Sequence, residues 1–456
     1  MMSALAEDLR RVLGQGRVVA GSLSAYAADA TEHEGLRGEP HAVVLPQSAE
    51  EVARIVSWAY RNDVALVPRG GGTGFSGGAV PVNGGVVVDL SRMARVRAFD
   101  PELWRMHVDA GVLTSTVRRL AREHGLLFPP DPGAAEQSQI GGNIATNAGG
   151  PHAFKYGATG AWVTGIEAVV APGEIIRVGG AIRKDVAGYD IRGLLVGSEG
   201  TLAIITGAWV RLIPAPEMVL PVAAAYDSVQ EGCAAIESIL ASGLVAAAVE
   251  FVEGAALTAS RGAFPAALPE AARFLVIAET DGTAAEAATA AEELRELLQP
   301  NALLLQAPKA RQEISTIWRW RDGVSLAVSA QRGGKVSEDI VVPLDRLRDA
   351  IDGTNLIGER FGLEACSWGH AGDGNLHSTF LINPENDDEL KRAHQAARAL
   401  HELATNLGGS ISGEHGLGWL KRDQLHLQWN EAAIELHHGI KATFDPKGLF
   451  NPGKKT

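Results

Sequence analysis

Two histidines flank a short polar turn in the segment WGHAGDGNLHSTFLI, His370 and His377. A spacing of seven is not that of helical neighbours, but a hairpin would bring the pair together. If Asp373-Gly374 forms a two-residue type I′ turn, Gly372 faces Asn375, Ala371 faces Leu376 and His370 faces His377. Directly opposed residues share one face of the sheet with Cβ atoms about 4.5–5.5 Å apart, close enough for two imidazoles to share a divalent ion. Further along, SGEHGLG sets Glu414 and His415 between glycines, a carboxylate ligand beside an unliganded base. Two histidines and one glutamate with a position left open is the pattern of a catalytic metal rather than a structural one.

A second kind of chemistry is written in PRGGGTGFSGGA, residues 68–79, where six glycines crowd between two apolar stretches. Without Cβ atoms the backbone can visit positive φ and press its N–H groups against an anion, most often a phosphate. Gly72-Thr73-Gly74-Phe75-Ser76-Gly77 satisfies G-x-G-x-x-G, yet the chain then runs through GAVPVNGG into the strand VVVDL. A Rossmann loop must open a helix there, so that fold is excluded, and so is a P-loop, because no Lys-Ser or Lys-Thr comes after the glycines. A backbone nest joining two strands remains. Two further glycine-rich segments, IGGNIATNAGG and GSEGTLAIIT, recur downstream.

The elements that must position these groups can be read from periodicity. HAVVLP, a helix from Ser48 to Tyr60 and VALVP form a βαβ unit ending at the glycine loop, with Ser48 and Glu51 as a capping box and Val52, Ile55, Val56 and Ala59 at helical spacing. GGVVVDL and LWRMHVDAG read as strands, and a helix from Thr114 to His124 stops at Gly125. Residues 131–160 show neither period, and long irregular stretches inside compact domains are usually functional. Pro214 and Pro216 mark a boundary, after which helices near 231–242 and 283–298 alternate with the strands AAAVEFV and RFLVIAET. The C-terminal FDPKGLFNPG, with two X-Pro turns, reads as a fixed loop returning to the first domain. The expected fold is α+β, with residues 1–215 as a cofactor domain, 216–410 as a second domain on a separate sheet, and 411–456 as the returning segment.

Composition narrows the partners. The 456 residues carry a formal charge of −13, with 46% hydrophobic and 21% charged residues, normal for a soluble globular chain. Arg118, Arg119 and Arg122 make a solvated helix face rather than a phosphate track, so no nucleic-acid partner is expected. Cys233 and Cys366 stand far apart and read as core thiols in a reducing compartment. The N-terminus reads as an amphipathic helix without a signal peptide, and no 18-residue apolar window exists, so a cytoplasmic location without a membrane span is expected.

Taken together, PRGGGTGFSGG, DPGAAEQSQIGGNIATNAGG, YGATG, GSEGTLAIIT and NPGK resemble the FAD-binding domain of the vanillyl-alcohol oxidase and p-cresol methylhydroxylase superfamily, over nearly the whole chain. The resemblance implies a two-subdomain FAD-binding domain and a C-terminal α+β substrate, or cap, domain with an antiparallel sheet. It places FAD against Pro68, Arg69, Gly70, Gly71, Gly72, Thr73, Gly74, Ser76, Gly77 and Gly78, with the pyrophosphate on the loop backbone. It adds Pro130, Asp131, Pro132, Gly141, Gly142, Asn143, Thr146, Asn147, Gly150 and Gly157 along the cofactor, Glu199, Gly200 and Ile204 at the adenosine half, and Asn451 near the isoalloxazine. Several covalent flavoproteins of this superfamily carry a histidine in the glycine loop where this chain has Thr73, so the FAD is expected to be noncovalent.

The hairpin and GEHG motifs further resemble the FAD-linked D-2-hydroxy acid dehydrogenases: D-lactate dehydrogenase, the glycolate oxidase flavin subunit and D-2-hydroxyglutarate dehydrogenase. That resemblance implies zinc or a similar ion on His370, His377 and Glu414, with His415 as general base. Arg321 in WRWRDG and Lys335 in RGGKVSED match its carboxylate-binding positions, with a hydroxyl from Ser325. Relatives acting on 2-hydroxyglutarate place asparagine two residues after the second metal histidine, where this chain has Thr379, so D-lactate or glycolate is the first expected substrate. D-2-hydroxyglutarate, an oxygen-using 2-hydroxy acid oxidase and a flavin subunit serving mainly as an assembly partner are the alternatives. The electron acceptor, whether quinone, cytochrome or electron-transfer flavoprotein, is open, and a homodimer is allowed for.

Overall fold

The structure, a computed structural model, describes residues 2–31, 35–308 and 310–455. The chain forms two compact units: Met1–Gly149 with Gly157–Ala215 and Glu414–Thr456, and Gly150–Tyr156 with Pro216–Gly413. The return to the first unit therefore falls at Glu414 rather than at residue 411, and residues 150–156 leave the first unit for the second.

In the first unit, helix α1 (Met2–Leu13) precedes β1 (Ala42–Val44), α2 (Ala49–Asn62), β2 (Leu66–Arg69) and β3 (Val86–Asp89). β3 lies between β1 and β2, parallel to both, so the expected βαβ unit has a third strand inserted. Helix α2 starts where Ser48 accepts a hydrogen bond from the Glu51 N–H. The reciprocal half of the capping box is missing, because the Glu51 carboxylate accepts instead from Gln47 N–H and Arg17. Val52, Ile55, Val56 and Ala59 are fully buried, and burying each Val or Ile contributes about 1.5–3 kcal/mol.

Strands β4 (Val96–Asp100) and β5 (Arg105–Asp109), helices α3 (Thr114–Glu123) and α4 (Ile140–Thr146), then β6 (Val163–Val170), β7 (Glu174–Gly179) and β8 (Ile204–Arg211) come next. The strands make an antiparallel sheet in the order β4-β5-β8-β6-β7. The second glycine-rich region is thus not wholly irregular. Its Gly141-Gly142 pair hides a helix from periodicity, because glycine carries no apolar side chain to reveal a face.

The second unit is built on one seven-stranded antiparallel sheet. Its elements are β9 (Met218–Tyr226), α5 (Val229–Ser242), β10 (Ala248–Glu253), α6 (Gly254–Ser260), β11 (Phe274–Gly282), α7 (Ala284–Leu298), β12 (Leu304–Gln306), α8 (Arg311–Arg332), β13 (Gly334–Val341), α9 (Leu347–Phe361), β14 (Glu364–His370), β15 (Asn375–Ile382) and α10 (Asp387–Asn406). The strand order is β12-β9-β11-β10-β14-β15-β13. Strand alternation sends Phe251, Val276, Ile340 and Leu376 to a core shared with α5, α7 and α9. Val252, Ile277, Cys366 and Trp368 face the other way, against Ile317, Trp320, Val324 and Val328 of α8. The same alternation puts Glu250, His370, His377, Asp339 and Lys335 on the α8 side, where polar groups interrupt the apolar layer. Both cysteines are free and buried; burial pushes the Cys233 thiol up to about 12 and Cys366 higher still, so neither is a nucleophile.

Candidate active site

In the first unit, the glycine loop leaves the end of β2 and its conformation depends on missing side chains. A Cβ on Gly71 would lie 2.1 Å from the Gln137 carbonyl oxygen, and Gly72 and Gly77 have φ of +68° and +77°. At Gly70 a Cβ would lie 3.6 Å from Gly142 Cα, so the loop and α4 approach each other through glycines. A Cβ on Gly74, Gly78 or Gly142 would meet nothing within 4 Å. These Cβ-free faces form a cradle open to a ligand, which fits a dinucleotide lying along backbone rather than side chains.

Several side chains assigned to the cofactor from sequence have other partners. Arg69 donates to the Ala28 carbonyl at 2.8 Å and backs the loop. Asn143 donates to Thr114 Oγ1 at 2.7 Å, and Thr146 Oγ1 to Gly142 O at 3.2 Å. Asn147, at φ +53°, accepts from the Gly160 N–H at 2.8 Å. Glu199, at φ +52°, accepts from the N–H groups of Leu417 and Gly418 at 3.0 and 2.7 Å and pairs with Lys455 at 2.8 Å. Asn451, also in a left-handed conformation, donates to the Gly78 and Glu199 carbonyls at 2.9 and 2.8 Å. Buried polar side chains seek partners, and these bonds tie the surrounding loops together, while Asn451 Oδ1 is buried without a hydrogen-bond partner among the described residues. Pro130, Asp131 and Pro132 precede α4 in an irregular segment, Gly157 and Gly200 have positive φ, and Ile204 opens β8. Gly150 lies in the stretch that joins the second unit.

Glu414 and His415 belong to the first unit. The His415 carbonyl accepts from Ser76 Oγ at 2.9 Å, and its ring lies 4.6 Å from that of Phe75, so the imidazole sits beside the glycine loop. A Cβ on Gly149 would lie 2.7 Å from Glu414 Oε2, so that carboxylate rests on another glycine.

In the second unit the histidine hairpin differs from expectation. The connection is a 3₁₀ turn, Ala371–Asp373, closed by left-handed Gly374, and four residues long rather than two. His370 therefore pairs with Asn375, and His377 with Trp368. Because both pairs share the α8 face, the two histidines are diagonal neighbours, with ring centroids 5.3 Å apart and ring nitrogens within 4.8 Å. The convergence survives by a different register.

Glu250 on β10 is fully buried and directly opposite His370 in the ladder. Its Oε1 lies 2.6 Å from His370 Nδ1, so Nδ1 carries the proton and Nε2 is the atom a divalent ion would take. Its Oε2 lies 2.6 Å from Arg321 Nη2 on α8, an ion pair not aligned as a hydrogen bond. Arg321 Nε is buried without a hydrogen-bond partner among the described residues, a donor available to an anion. Lys335 bonds Ser325 Oγ and sits 4.8 Å from the Trp368 ring centre. Asp339 is directly opposite His377 and accepts from Asn375 Nδ2 at 2.6 Å, Ser412 Oγ at 2.9 Å and Gly413 N–H at 2.8 Å. Farther along this face, Glu279 accepts from Trp318 Nε1 at 2.5 Å and pairs with His152 at 2.7 Å.

The structure thus gathers His370, His377, Arg321, Ser325 and Lys335 on one unit, and Glu414, His415 and the cradle on the other. Sequence reading missed Glu250, Asp339 and Glu279. For Glu250 a signal existed: it is a lone carboxylate in the apolar strand AAAVEFV, where a charge needs a partner. The two-nitrogen donor set, with one imidazole oriented by a carboxylate, fits a zinc-like ion.

Comparison with known proteins accords with this architecture. Over 99% of its length and 96% of the other's, the chain superimposes on p-cresol methylhydroxylase with a TM-score of 0.81 at 16% identity, which defines the fold as that of the p-cresol methylhydroxylase-type flavoproteins. Residues 40–179 match the FAD binding domain model, and residues 215–455 match the C-terminal domain model of FAD linked oxidases. Glycolate oxidase subunit GlcD of Bacillus subtilis is 35% identical, covering 94% of this chain and 91% of its own. D-Lactate dehydrogenase of Archaeoglobus fulgidus is 35% identical over 91% of each, and D-2-hydroxyglutarate dehydrogenase of Stutzerimonas stutzeri 34% over 99% and 98%. The chain belongs to the FAD-linked oxidases, in the family of FAD-dependent 2-hydroxy acid dehydrogenases. Among the described residues no helix is long and apolar enough to cross a membrane.

Proposed function

We propose that this protein oxidises a small D-2-hydroxy acid, D-lactate or glycolate first, to the 2-oxo acid with noncovalent FAD and a divalent ion, zinc first. The observation that carries the reading is the double engagement of Glu250, which sets an oriented imidazole and a buried guanidinium on one sheet face. Arg321 and Lys335 hold the substrate carboxylate, and Arg321 Nε supplies a directed N–H for it. His370 and His377 hold the ion; Glu414 joins them on sequence grounds. An ion held there would polarise the substrate hydroxyl and lower its pKa. His415 takes the hydroxyl proton as the C2–H bond breaks and the carbonyl forms, and FAD, when bound in the cradle, would supply the hydride acceptor. A quinone, a cytochrome or an electron-transfer flavoprotein would serve as the electron acceptor, with oxygen as the alternative. A monocarboxylate is favoured because Thr379 Oγ1 and Ser337 Oγ are 2.7 Å apart and bond each other, leaving no amide at that position for a second carboxylate.

The test is anaerobic flavin bleaching by D-lactate, L-lactate, glycolate and D-2-hydroxyglutarate, each with and without chelator. Bleaching by D-lactate or glycolate that is lost with metal and restored by zinc is expected. Flavin that none of the acids reduces would refute the reading, and bleaching that survives complete metal removal would refute the role of the histidines.

A further inference from the structure

The C-terminal residues Asn451–Lys455 contain polar groups that the chemistry above leaves unused. Lys454 is 2% exposed, and its ammonium donates to the carbonyls of Gly78 at 2.8 Å and Val80 at 2.7 Å. Gly78 O also accepts from Asn451 Nδ2. Lys455 reaches the other way: its Nζ pairs with Glu199 Oε1 at 2.8 Å, and its N–H donates to Gly418 O at 2.9 Å. Glu199 in turn receives the N–H groups of Leu417 and Gly418, two and three residues after His415. The tail is itself anchored, by Asn451 N–H on Leu66 O at 2.8 Å and by Lys441 Nζ on Phe450 O at 2.9 Å.

From this network we infer that Lys454 and Lys455 are positioning residues with separate tasks: Lys454 holds the Gly78–Val80 rim of the FAD cradle, and Lys455, through Glu199, holds the loop that carries His415. Both tasks rest on the proposed roles of the cradle and of His415. A loop that offers N–H groups to an anion must turn carbonyls elsewhere, and each buried carbonyl needs a donor. An ammonium on a long stem delivers several donors from one point, which a neutral apolar residue cannot. Its burial pushes Lys454 down to about 7, against the pull of Asp29 and Glu199, so the site holds this group at a cost. That cost is understandable if the rim must keep one shape. The Lys455–Glu199 pair likewise fixes backbone at Leu417 and Gly418, where Gly418 has φ +49° and a Cβ would lie 2.1 Å from Ser76 O. The loop therefore has little freedom to adjust on its own.

The two tasks separate experimentally. Lys454→Met should weaken FAD binding about tenfold or more, the order expected for losing one to two net hydrogen bonds, while flavin reduction at saturating FAD and substrate stays near the parent rate. Lys455→Met should leave FAD affinity unchanged and lower the limiting rate of anaerobic flavin reduction about tenfold without a matching change in KM, and Lys455→Arg, which preserves the ion pair, should restore it. Amide hydrogen exchange on the parent protein gives a readout independent of variant folding: residues 449–455 and 70–80 should gain protection together when FAD is added to apoprotein. FAD affinity unchanged in folded Lys454→Met, a parent-like reduction rate in Lys455→Met, or tail exchange indifferent to FAD would overturn these assignments. If the parent flavin is not reduced by any hydroxy acid, the proposed activity fails instead, while FAD affinity and exchange still decide the role of Lys454.

Discussion

Replacing Glu250 with glutamine isolates the group on which the site geometry depends. Glutamine keeps the volume, and its Oε1 can still accept from His370 Nδ1–H, so packing should change little. The charge opposite Arg321 is lost. Unit charges about 4 Å apart between centres attract by about 4 kcal/mol at an effective dielectric of 20, and leaving one partner of a buried pair alone costs about 3–5 kcal/mol. Both routes agree, so Glu250→Gln should destabilise the second unit by several kcal/mol. The weaker orientation and basicity of His370 should also loosen metal binding by about 10–100-fold. Metal content under chelator titration and thermal unfolding of the holoprotein read the two effects separately. The double variant Glu250→Gln with Arg321→Met removes both charges and should recover much of the stability without recovering metal affinity. A Glu250→Gln protein with parent-like stability and chelator resistance would refute the assignment of Glu250 as the shared anchor.

Other sites carry their own expected outcomes. Burial pushes Glu253 up to about 7 while it accepts the Ser367 N–H at 2.7 Å; its folded pKa exceeds the unfolded value, so its contribution is greatest below about pH 4.5 and is lost as pH rises through 7. Glu253→Gln should therefore gain up to about 3 kcal/mol over the parent at about pH 8 and little at about pH 4, as compared by denaturant unfolding at both. Gly71→Ala should destabilise the apoprotein, because its Cβ meets the Gln137 carbonyl, whereas Gly74→Ala should unfold like the parent and release FAD more readily in fluorescence titration. His415→Ala should retain FAD and slow anaerobic reduction by about 10²-fold or more in stopped flow. With Thr73 in the loop, acid precipitation should leave all flavin in the supernatant; flavin in the pellet would show a covalent link.

Local order carried much of this protein's chemistry. Six glycines in twelve residues point to a backbone nest, because a chain without Cβ atoms can take positive φ and present its N–H groups, and a strand after the nest excludes a nicotinamide fold. The histidine spacing required a turn, and strand alternation then required both rings to share a face even though the turn was four residues long. Sequence could not supply the identity of groups arriving from far away. Glu250 is 120 residues from His370, and only the order of strands in the sheet makes them neighbours. Lys454 is 376 residues from Gly78, and Glu199 is more than two hundred from the loop it holds. Such partners depend on how sheets and returning segments stack, where burial forces each charge and carbonyl to find a counterpart. The chain order determined the backbone and reactive groups; tertiary packing decided which buried carboxylates and ammoniums hold them in place.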